Sequence, residues 1–210
     1  MREHGLDREM DAWYRERLSA NGPTARGVGY KSDVAQRNRF AQLVRLLPRE
    51  ADGFSVNDYG CGLGAFAHFL AAEGFSSFSY FGLDSNQTMV DLALENRGDH
   101  EAWTFSTDAS RLQVADYTVA SGLMNLRFGV PDGEWRDHVC DLIDALAAVS
   151  RSGFAFNMLT KYSDADRMEP ELYYADPAFF FDRCMRRYGG SVALLHDYGE
   201  YEFTVIVRTL

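Results

Sequence analysis

Lysine is nearly absent from this chain of 210 residues, which has only Lys31 and Lys161. Acidic residues outnumber basic ones by 31 to 21, so the formal net charge is −10. A surface of that sign repels a phosphate backbone, and we therefore expect no nucleic-acid partner. The three cysteines, Cys61, Cys140 and Cys184, lie far apart in the sequence and predict neither a disulfide framework nor a metal site.

Long apolar runs are also missing. No stretch approaches the roughly 18 apolar residues of a membrane-spanning helix, and the charged opening, MREHGLDREMDAWYRER, does not fit a signal peptide. The chain has only five prolines, and 46% of its residues are hydrophobic, which is typical of a globular protein that buries a core. We expect a cytoplasmic protein without membrane contact, as a monomer or homodimer.

Strand and helix patterns alternate from residue 54 onward. Strands are predicted over 54–59, 78–83, 103–106, 117–121, 153–159, 191–196 and 201–208, and helices over 65–73, 87–96, 135–149 and from Pro177. The last two strands are separated only by DYGE and are expected to pair antiparallel, whereas the earlier crossovers favour parallel pairing. The pattern predicts an α/β fold with helices on both faces of the sheet. Residues 1–50 are expected to form a helical lid, and residues 51–210 the ligand-binding domain.

The most informative stretch is VNDYGCGLGAFAHFL (56–70). In it, Asp58 ends a predicted strand, and Gly60, Gly62 and Gly64 turn the chain into a helix. Glycine permits a sharp turn and close approach of the backbone to a ligand, and ligands of α/β sheets bind outside the carboxyl ends of strands. The same residues also fit the dinucleotide fingerprint Gly60-x-Gly62-x-x-Ala65.

Three acidic residues at strand ends argue against a dinucleotide. Asp58 would attract a cationic amine and repel a pyrophosphate. Asp84 is placed to accept two ribose hydroxyls, and Asp108 to accept from the amino group of an adenine. A ligand with an amine, a ribose and an adenine but no phosphate is S-adenosylmethionine (SAM).

At these residues the sequence resembles the class I SAM-dependent methyltransferase superfamily. The matching motifs are DYGCGLG (58–64), GLDSN (82–86), STDAS (106–110) and VASGLMN (119–125), within a resemblance that covers 54–210. The resemblance implies a Rossmann-like fold whose seven-stranded sheet is mainly parallel with an antiparallel last strand. It implies that the glycine turn lies under the methionine part of SAM, Asp84 at the ribose, Asp108 and Ala109 at the adenine, and Ser121 and Gly122 at the sulfonium. The candidate SAM-binding residues are Asp58, Gly60, Cys61, Gly62, Gly64, Asp84, Ser85, Asp108, Ala109, Ser121, Gly122 and Arg39.

Catalytic groups must come from the loops above the strands and from the lid. Asn125 after the fourth strand, Tyr162 after the fifth and Tyr30 in the lid are the candidates, because tyrosine faces attract a sulfonium cation and a nucleophile must be aligned with the methyl group. Further options are Tyr14, Tyr173, Tyr174 and His196, with a packing role favoured for the last three. Arg39 either pairs with the ligand carboxylate or lies on a solvated helix face, and Cys61 is expected to act through its backbone.

Missing motifs narrow the acceptor. The sequence has neither the Asn/Asp-Pro-Pro-aromatic motif for amino groups of bases nor the Pro-Cys motif for cytosine. We therefore expect direct displacement at the sulfonium methyl by a small-molecule acceptor. Two alternatives stay open. The chain also looks like the azetidine-2-carboxylate synthases, which cyclise SAM and release methylthioadenosine, or it could be a non-catalytic SAM-binding partner protein.

Overall fold

The computed structural model describes residues 3–49 and 53–209. The strands of this part of the chain are β1 (Phe54–Tyr59), β2 (Phe78–Leu83), β3 (Trp103–Ser106), β4 (Ala115–Ala120), β5 (Ser150–Leu159), β6 (Val192–Leu195) and β7 (Glu202–Arg208). They form one seven-stranded sheet in the order β3-β2-β1-β4-β5-β7-β6. Every neighbouring pair is parallel except β5–β7 and β6–β7, so only β7 runs against the others. The predicted fold class is confirmed.

The helices of the described residues are α1 (Glu3–Asn21), α2 (Asp33–Leu43), α3 (Ala65–Ala72), α4 (Gln87–Asn96), α5 (Asp132–Ala148) and α6 (Pro177–Tyr188). Polar side chains cap three of them: Ser32 accepts from the Ala35 amide, Asn86 from the Met89 amide and Asp176 from the Ala178 amide. Such caps satisfy backbone donors that a helix start leaves free.

Several elements begin and end where the sequence predicts. This holds for β1, β2, β3 and α4. The prediction starts α5 too late, at 135, because its apolar pattern begins at Trp135. The helix begins at Asp132, after Pro131, whose carbonyl accepts the Trp135 amide at 2.9 Å. Polar residues of a first helical turn carry no hydrophobic periodicity, so the pattern does not register them.

The hydrophobic core lies in two layers, one on each face of the sheet. Side chains of β5 alternate between them: Ala155 belongs to one layer, and Phe154 and Phe156 belong to the other. Helices α2, α3 and α4 cover the first layer, and helices α5 and α6 cover the second. The predicted helices on both faces are therefore present.

Helix α2 is part of this core. Its Phe40 and Leu43 are 5% and 0% exposed and belong to the same cluster as Val56 of β1. Helix α1 instead lies over the carboxyl ends of the strands, where Asp11 accepts a hydrogen bond from the Asn86 side chain at 3.0 Å. The predicted division between residues 50 and 51 lies outside the described residues.

Within the ranges described above, no helix has both the length and the apolar character that crossing a bilayer requires.

Asp144 of α5 joins the two helices of the second layer. Its carboxylate accepts hydrogen bonds from Arg183 at 2.9 Å, from Arg187 at 2.8 Å and from the Tyr188 hydroxyl, all on or at the end of α6. Partial burial raises the pKa of Asp144, but these three hydrogen bonds outweigh it, and the pKa lies below its usual value.

We expect Asp144→Asn to lower the free energy of unfolding by about 1–2 kcal/mol near neutral pH, because it removes charged hydrogen bonds at a partly exposed site. A carboxyl whose folded pKa is lowered contributes stability above its unfolded pKa, about 3.9, and loses it as the pH falls further. Urea denaturation should therefore show a smaller difference from wild type near pH 3.

The matched control is Asp182→Asn, which removes an exposed pair with Arg186 on α6 alone. It should stay within about 0.5 kcal/mol of wild type. Equal losses for the two variants would contradict a special role of Asp144.

Candidate functional site

A cavity of about 430 Å³ lies at the carboxyl ends of β1, β2, β4 and β5, beneath α1. This volume is within the range of small-molecule sites. Residues from the strand-end loops, α1, the loop before α2, and the start of β7 line the cavity. Among the predicted site residues, the cavity is lined by Asp58, Gly60, Cys61, Gly62, Asp84, Ser85, Ala109, Ser121, Gly122, Asn125, Tyr30 and Arg39.

The turn after β1 requires glycine. Gly60, Gly62 and Gly64 have φ angles of +79°, +51° and +73°, which other residues adopt only with strain. A Cβ at Gly60 would lie 2.9 Å from the Leu123 side chain, and one at Gly64 would lie 2.8 Å from the Phe105 ring. Gly64 also caps the start of α3 and is not part of the cavity wall.

Hydrogen bonds tie this turn to the end of β2. The amides of Gly60 and Cys61 donate to the Leu83 carbonyl at 2.7 and 3.1 Å. The Gly62 amide donates to one carboxylate oxygen of Asp84 at 2.8 Å, and the Asn86 amide donates to the other at 2.9 Å. Each oxygen keeps a further lone pair for a ligand hydroxyl. Asp84 therefore both shapes the glycine turn and presents two acceptors to the cavity.

Asp84 is ionised less readily than a free carboxylic acid. Burial raises its pKa, although the hydrogen bonds from Asn86 and Gly62 oppose that effect. Asp84 does not cap α4, because the side chain of Asn86 supplies that cap.

Asp58 is a second buried acid beside the turn, with 3% of its surface exposed. Burial raises its pKa to about 7, the Tyr80 hydroxyl lowers it by donating a hydrogen bond, and the charge of Asp84 raises it. A cation placed beside Asp58 would favour its ionised form. This carboxyl is therefore suited to binding a charged amine.

Cys61 lines the cavity, but its thiol packs inward. Its sulfur would lie 2.8 Å from a Cβ built at Gly82, so the space beside it is filled. Burial raises the pKa of the Cys61 thiol well above its usual value. A thiol of this kind is unreactive, which agrees with the expectation that Cys61 acts through its backbone.

Tyr30 reaches from the loop before α2 to the end of β4. Its hydroxyl donates to the Ser121 hydroxyl at 3.0 Å, and burial raises its pKa. The side-chain NH₂ of Asn157 of β5 donates to the Ser121 hydroxyl at 3.2 Å, and its side-chain oxygen accepts a hydrogen bond from the Gly122 amide at 2.9 Å. This network fixes Ser121 and Gly122 against one wall of the cavity.

Asn125 joins the loops that follow β4 and β5. Its side-chain oxygen accepts the Leu159 amide at 3.0 Å, and its carbonyl accepts the Tyr173 amide at 2.7 Å. Only 8% of Asn125 is exposed. The bond to Leu159 leaves the amide NH₂ of Asn125 as its group for a ligand.

Arg39 does not lie on a solvated helix face. Its side chain is 12% exposed, pairs with Glu202 at the start of β7, and places its guanidinium 4.6 Å from the centre of the Tyr30 ring. That alternative is therefore wrong, and binding of a ligand carboxylate by Arg39 stays a prediction.

The structure does not bring Asp108 and Tyr162 into the cavity wall. Asp108 is exposed, and its carboxylate accepts from the amide and hydroxyl of Ser110 at 2.9 and 2.6 Å. Tyr162 is 65% exposed and lies against His196, because the loop after β5 turns it outward. The predicted catalytic role of Tyr162 and the adenine contact of the Asp108 side chain therefore lack support, while the neighbouring Ala109 does line the cavity.

The other sequence options fall outside the site or close over it. Tyr173 is buried in the second core layer, as the packing role predicts. The Tyr174 hydroxyl accepts the Glu169 amide at 2.9 Å. Tyr14 of α1 does line the cavity, and burial raises its pKa.

Sequence reasoning missed one end of the cavity. Its walls are Gln36, Leu126, Leu159, Glu169, Leu172 and Glu202. Only Glu202 carried a usable signal, because it is an acid at the head of the apolar run FTVIV. The others are ordinary residues that the tertiary structure assembles.

Among residues 3–49 and 53–209, no group of three or more His, Cys, Asp or Glu side chains is arranged to hold a metal ion.

The raised pKa of Asp58 predicts a pH-dependent stability. Between about pH 4 and about pH 7 the native Asp58 holds a proton that the unfolded chain has already lost. Its contribution to the free energy of unfolding therefore falls with rising pH, by at most about 1.4 kcal/mol per pH unit. We expect Asp58→Asn to remove this slope in urea denaturation experiments from about pH 5 to about pH 7.

Asp91→Asn, at an exposed position on α4, is the control and should keep the wild-type slope. An unchanged slope in Asp58→Asn would mean that Asp58 ionises in its ordinary range.

No family profile matches this chain. A Mycobacterium tuberculosis protein named "Putative methyltransferase Rv1506c" is 50% identical to it over 161 residues, which make up 75% of this chain and 95% of that protein. Similar solved structures include a SAM-dependent methyltransferase from Aquifex aeolicus (TM-score 0.58, 15% identity, covering 85% of this chain and 94% of that one). Another is an S-adenosylmethionine-dependent methyltransferase from Mesorhizobium loti (TM-score 0.53, 16% identity, covering 81% of this chain and 97% of that one).

The solved structures share the fold, and the Mycobacterium relative shares the sequence over nearly its whole length. Together with the glycine turn, they show that this chain belongs to the methyltransferase family of that relative and has the fold of the class I SAM-dependent methyltransferases.

Proposed function

We propose that this protein binds SAM in the cavity and transfers its methyl group to a small-molecule acceptor. The observation that carries the proposal is the coupled arrangement of the glycine turn and two buried acids. Gly62 donates to Asp84, and Asp58 lies beside them on the same cavity wall. This arrangement offers acceptors for a diol and a carboxylate for an amine.

The cavity residues fit the parts of SAM in order along the sheet. Asp58 would bind the amine, Asp84 the ribose hydroxyls, and the wall around Met89 and Ala109 the adenine. Arg39 supplies a cation for the carboxylate. The raised pKa values of Asp58 and Asp84 support this fit, because buried acids gain most from a cationic or hydroxyl-bearing ligand.

SAM supplies an electrophilic methyl group on a sulfonium when bound. The chain's own contribution is to hold Ser121 and Gly122 in place through Tyr30 and Asn157. Tyr30 presents an aromatic ring beside this wall, and such rings attract cations. Asn125 offers an amide to orient an acceptor. Alignment of the nucleophile with the methyl group can supply a large part of the rate enhancement in such a reaction.

A small-molecule acceptor fits the remaining space. Helix α1 lies over the cavity through Trp13, Tyr14 and Arg17, which limits the size of a molecule that enters. The far wall is apolar, with Leu126, Leu159 and Leu172. Apolar walls with a few polar groups are typical of small-molecule sites.

Asp84→Asn should weaken binding of S-adenosylhomocysteine by at least about tenfold, because it removes a charged acceptor from the cavity and from the Gly62 amide. Isothermal titration calorimetry measures the effect. Asp108→Asn is the matched control, since its carboxylate is exposed and engaged by Ser110; it should change the affinity by less than about threefold. A larger loss of affinity in Asp108→Asn than in Asp84→Asn would contradict the assignment of Asp84 to the ligand.

Incubation of the pure protein with SAM alone, followed by mass spectrometry, separates methyl transfer from cyclisation. We expect SAM to stay intact, because transfer requires an acceptor. Addition of small-molecule extracts should then produce S-adenosylhomocysteine and a product heavier by one CH₂. Methylthioadenosine formed from SAM alone, above a control without protein, would instead identify a SAM cyclase. Binding of SAM with no conversion under either condition would favour a non-catalytic partner protein.

A further inference from the structure

The cavity extends beyond the part that the proposed function assigns to SAM. This extension, here called the acceptor lobe, is bounded by Gln36, Leu126, Leu159, Leu172 and Glu202. It lies at the carboxyl end of β5 and the start of β7, on the opposite side of Ser121 from Asp84. The inference below concerns this lobe and rests on the proposed function.

Glu202 is the most unusual residue of the acceptor lobe. It is 1% exposed, lines the cavity, and stands at the first position of β7 opposite Leu159. One oxygen of its carboxylate is paired with the Arg39 guanidinium, and the other has no hydrogen-bond donor within the described residues. A buried carboxylate oxygen without a hydrogen-bond donor is costly, and natural sites supply donors to such atoms.

The other groups around Glu202 do not supply this hydrogen-bond donor. Glu200 of the preceding turn accepts from Asn38 at 2.9 Å, and its charge raises the pKa of Glu202. Lys31 acts only as a distant positive charge, and the Tyr198 hydroxyl is engaged with Thr204 at 3.1 Å. A ligand in the cavity would add a donor to the one that Arg39 supplies.

We propose that Glu202 anchors the acceptor by binding a cationic amine, while the apolar part of the acceptor lies against Leu126, Leu159 and Leu172. The amine would donate to the carboxylate that Arg39 holds in place.

The sheet separates this anchor from the methyl-transfer position. Glu202 pairs with Leu159 of β5, and β5 lies beside β4, which ends next to Ser121. Two strand spacings and the two-residue offset in register place the backbone of Glu202 about 12 Å from that of Ser121. The anchored amine is thus a recognition group distinct from the atom that is methylated, and Glu202 sets specificity.

The charges of the cavity favour a cation over an anion. Among the described residues that line it, five are acidic and three are basic: Asp11, Asp58, Asp84, Glu169 and Glu202 against Arg17, Lys31 and Arg39. SAM carries a net positive charge of about one, which does not neutralise this excess. A carboxylate-bearing acceptor would meet repulsion here.

The test uses three probes that share one apolar part: 2-phenylethylamine, 2-phenylethanol and 3-phenylpropanoate. Each is titrated by calorimetry into wild-type protein saturated with S-adenosylhomocysteine. We expect the amine to bind at least about tenfold more tightly than the other two, as a charged hydrogen bond to a buried carboxylate allows. In Glu202→Gln the amine should lose this advantage at saturating S-adenosylhomocysteine, whose own affinity is measured separately because Arg39, the partner of Glu202, is also assigned to the ligand carboxylate.

Glu200→Gln is the matched control, because Glu200 lies two residues away and outside the cavity wall; it should keep the preference for the amine. Equal binding of the three probes, tighter binding of the carboxylate, or no binding of any probe to the saturated protein would overturn the proposal. If Glu202→Gln does not fold, the wild-type ranking alone decides. Failure of the protein to bind S-adenosylhomocysteine would instead overturn the proposed function itself.

Discussion

The junction between β1 and β2 is the constraint on which the site depends. Two parallel strands end side by side there, and the chain must leave the sheet without losing its backbone hydrogen bonds. The amides of Gly60 and Cys61 both donate to the Leu83 carbonyl, and the Gly62 amide donates to the Asp84 carboxylate. These bonds demand left-handed backbone at the glycines. The start of α3, the inward thiol and the position of Asp84 all follow from this one turn.

Buried acids give the cavity its chemical character. Burial raises the pKa of Asp58, Asp84 and Glu202, so the folded protein holds three carboxyl groups under conditions that disfavour their charge. Each is stabilised by hydrogen-bond donors or by a neighbouring cation. A ligand that brings positive charge or hydroxyl groups binds the native state alone, and it thereby stabilises the fold. The same buried acids that lower the stability of the free protein would therefore provide affinity for the proposed ligand.

The fold could be predicted in detail where hydrophobic pattern and turn chemistry agree. The strand 78–83 is an apolar run bounded by polar residues, and the helix 87–96 follows Asn86, a strong cap. The predicted and observed bounds agree less well where pairing with a neighbouring strand decides where an element begins. Strand β5 begins at Ser150 rather than 153 because β4 pairs with it from Ala115 onward. Such pairing depends on residues far apart in the sequence, and no local pattern reports it.

The sequence alone determined the family resemblance, the glycine turn and the acids at the ends of β1 and β2, because local spacing fixes where a strand ends and which backbone angles follow. Tertiary structure decided which side chains share the cavity. It turned Tyr162 outward, left Asp108 at the surface, and paired Arg39 of α2 with Glu202 of β7, 163 positions away. Those outcomes depend on loop direction and on contacts between distant elements. Neither is encoded in the periodicity of any single segment.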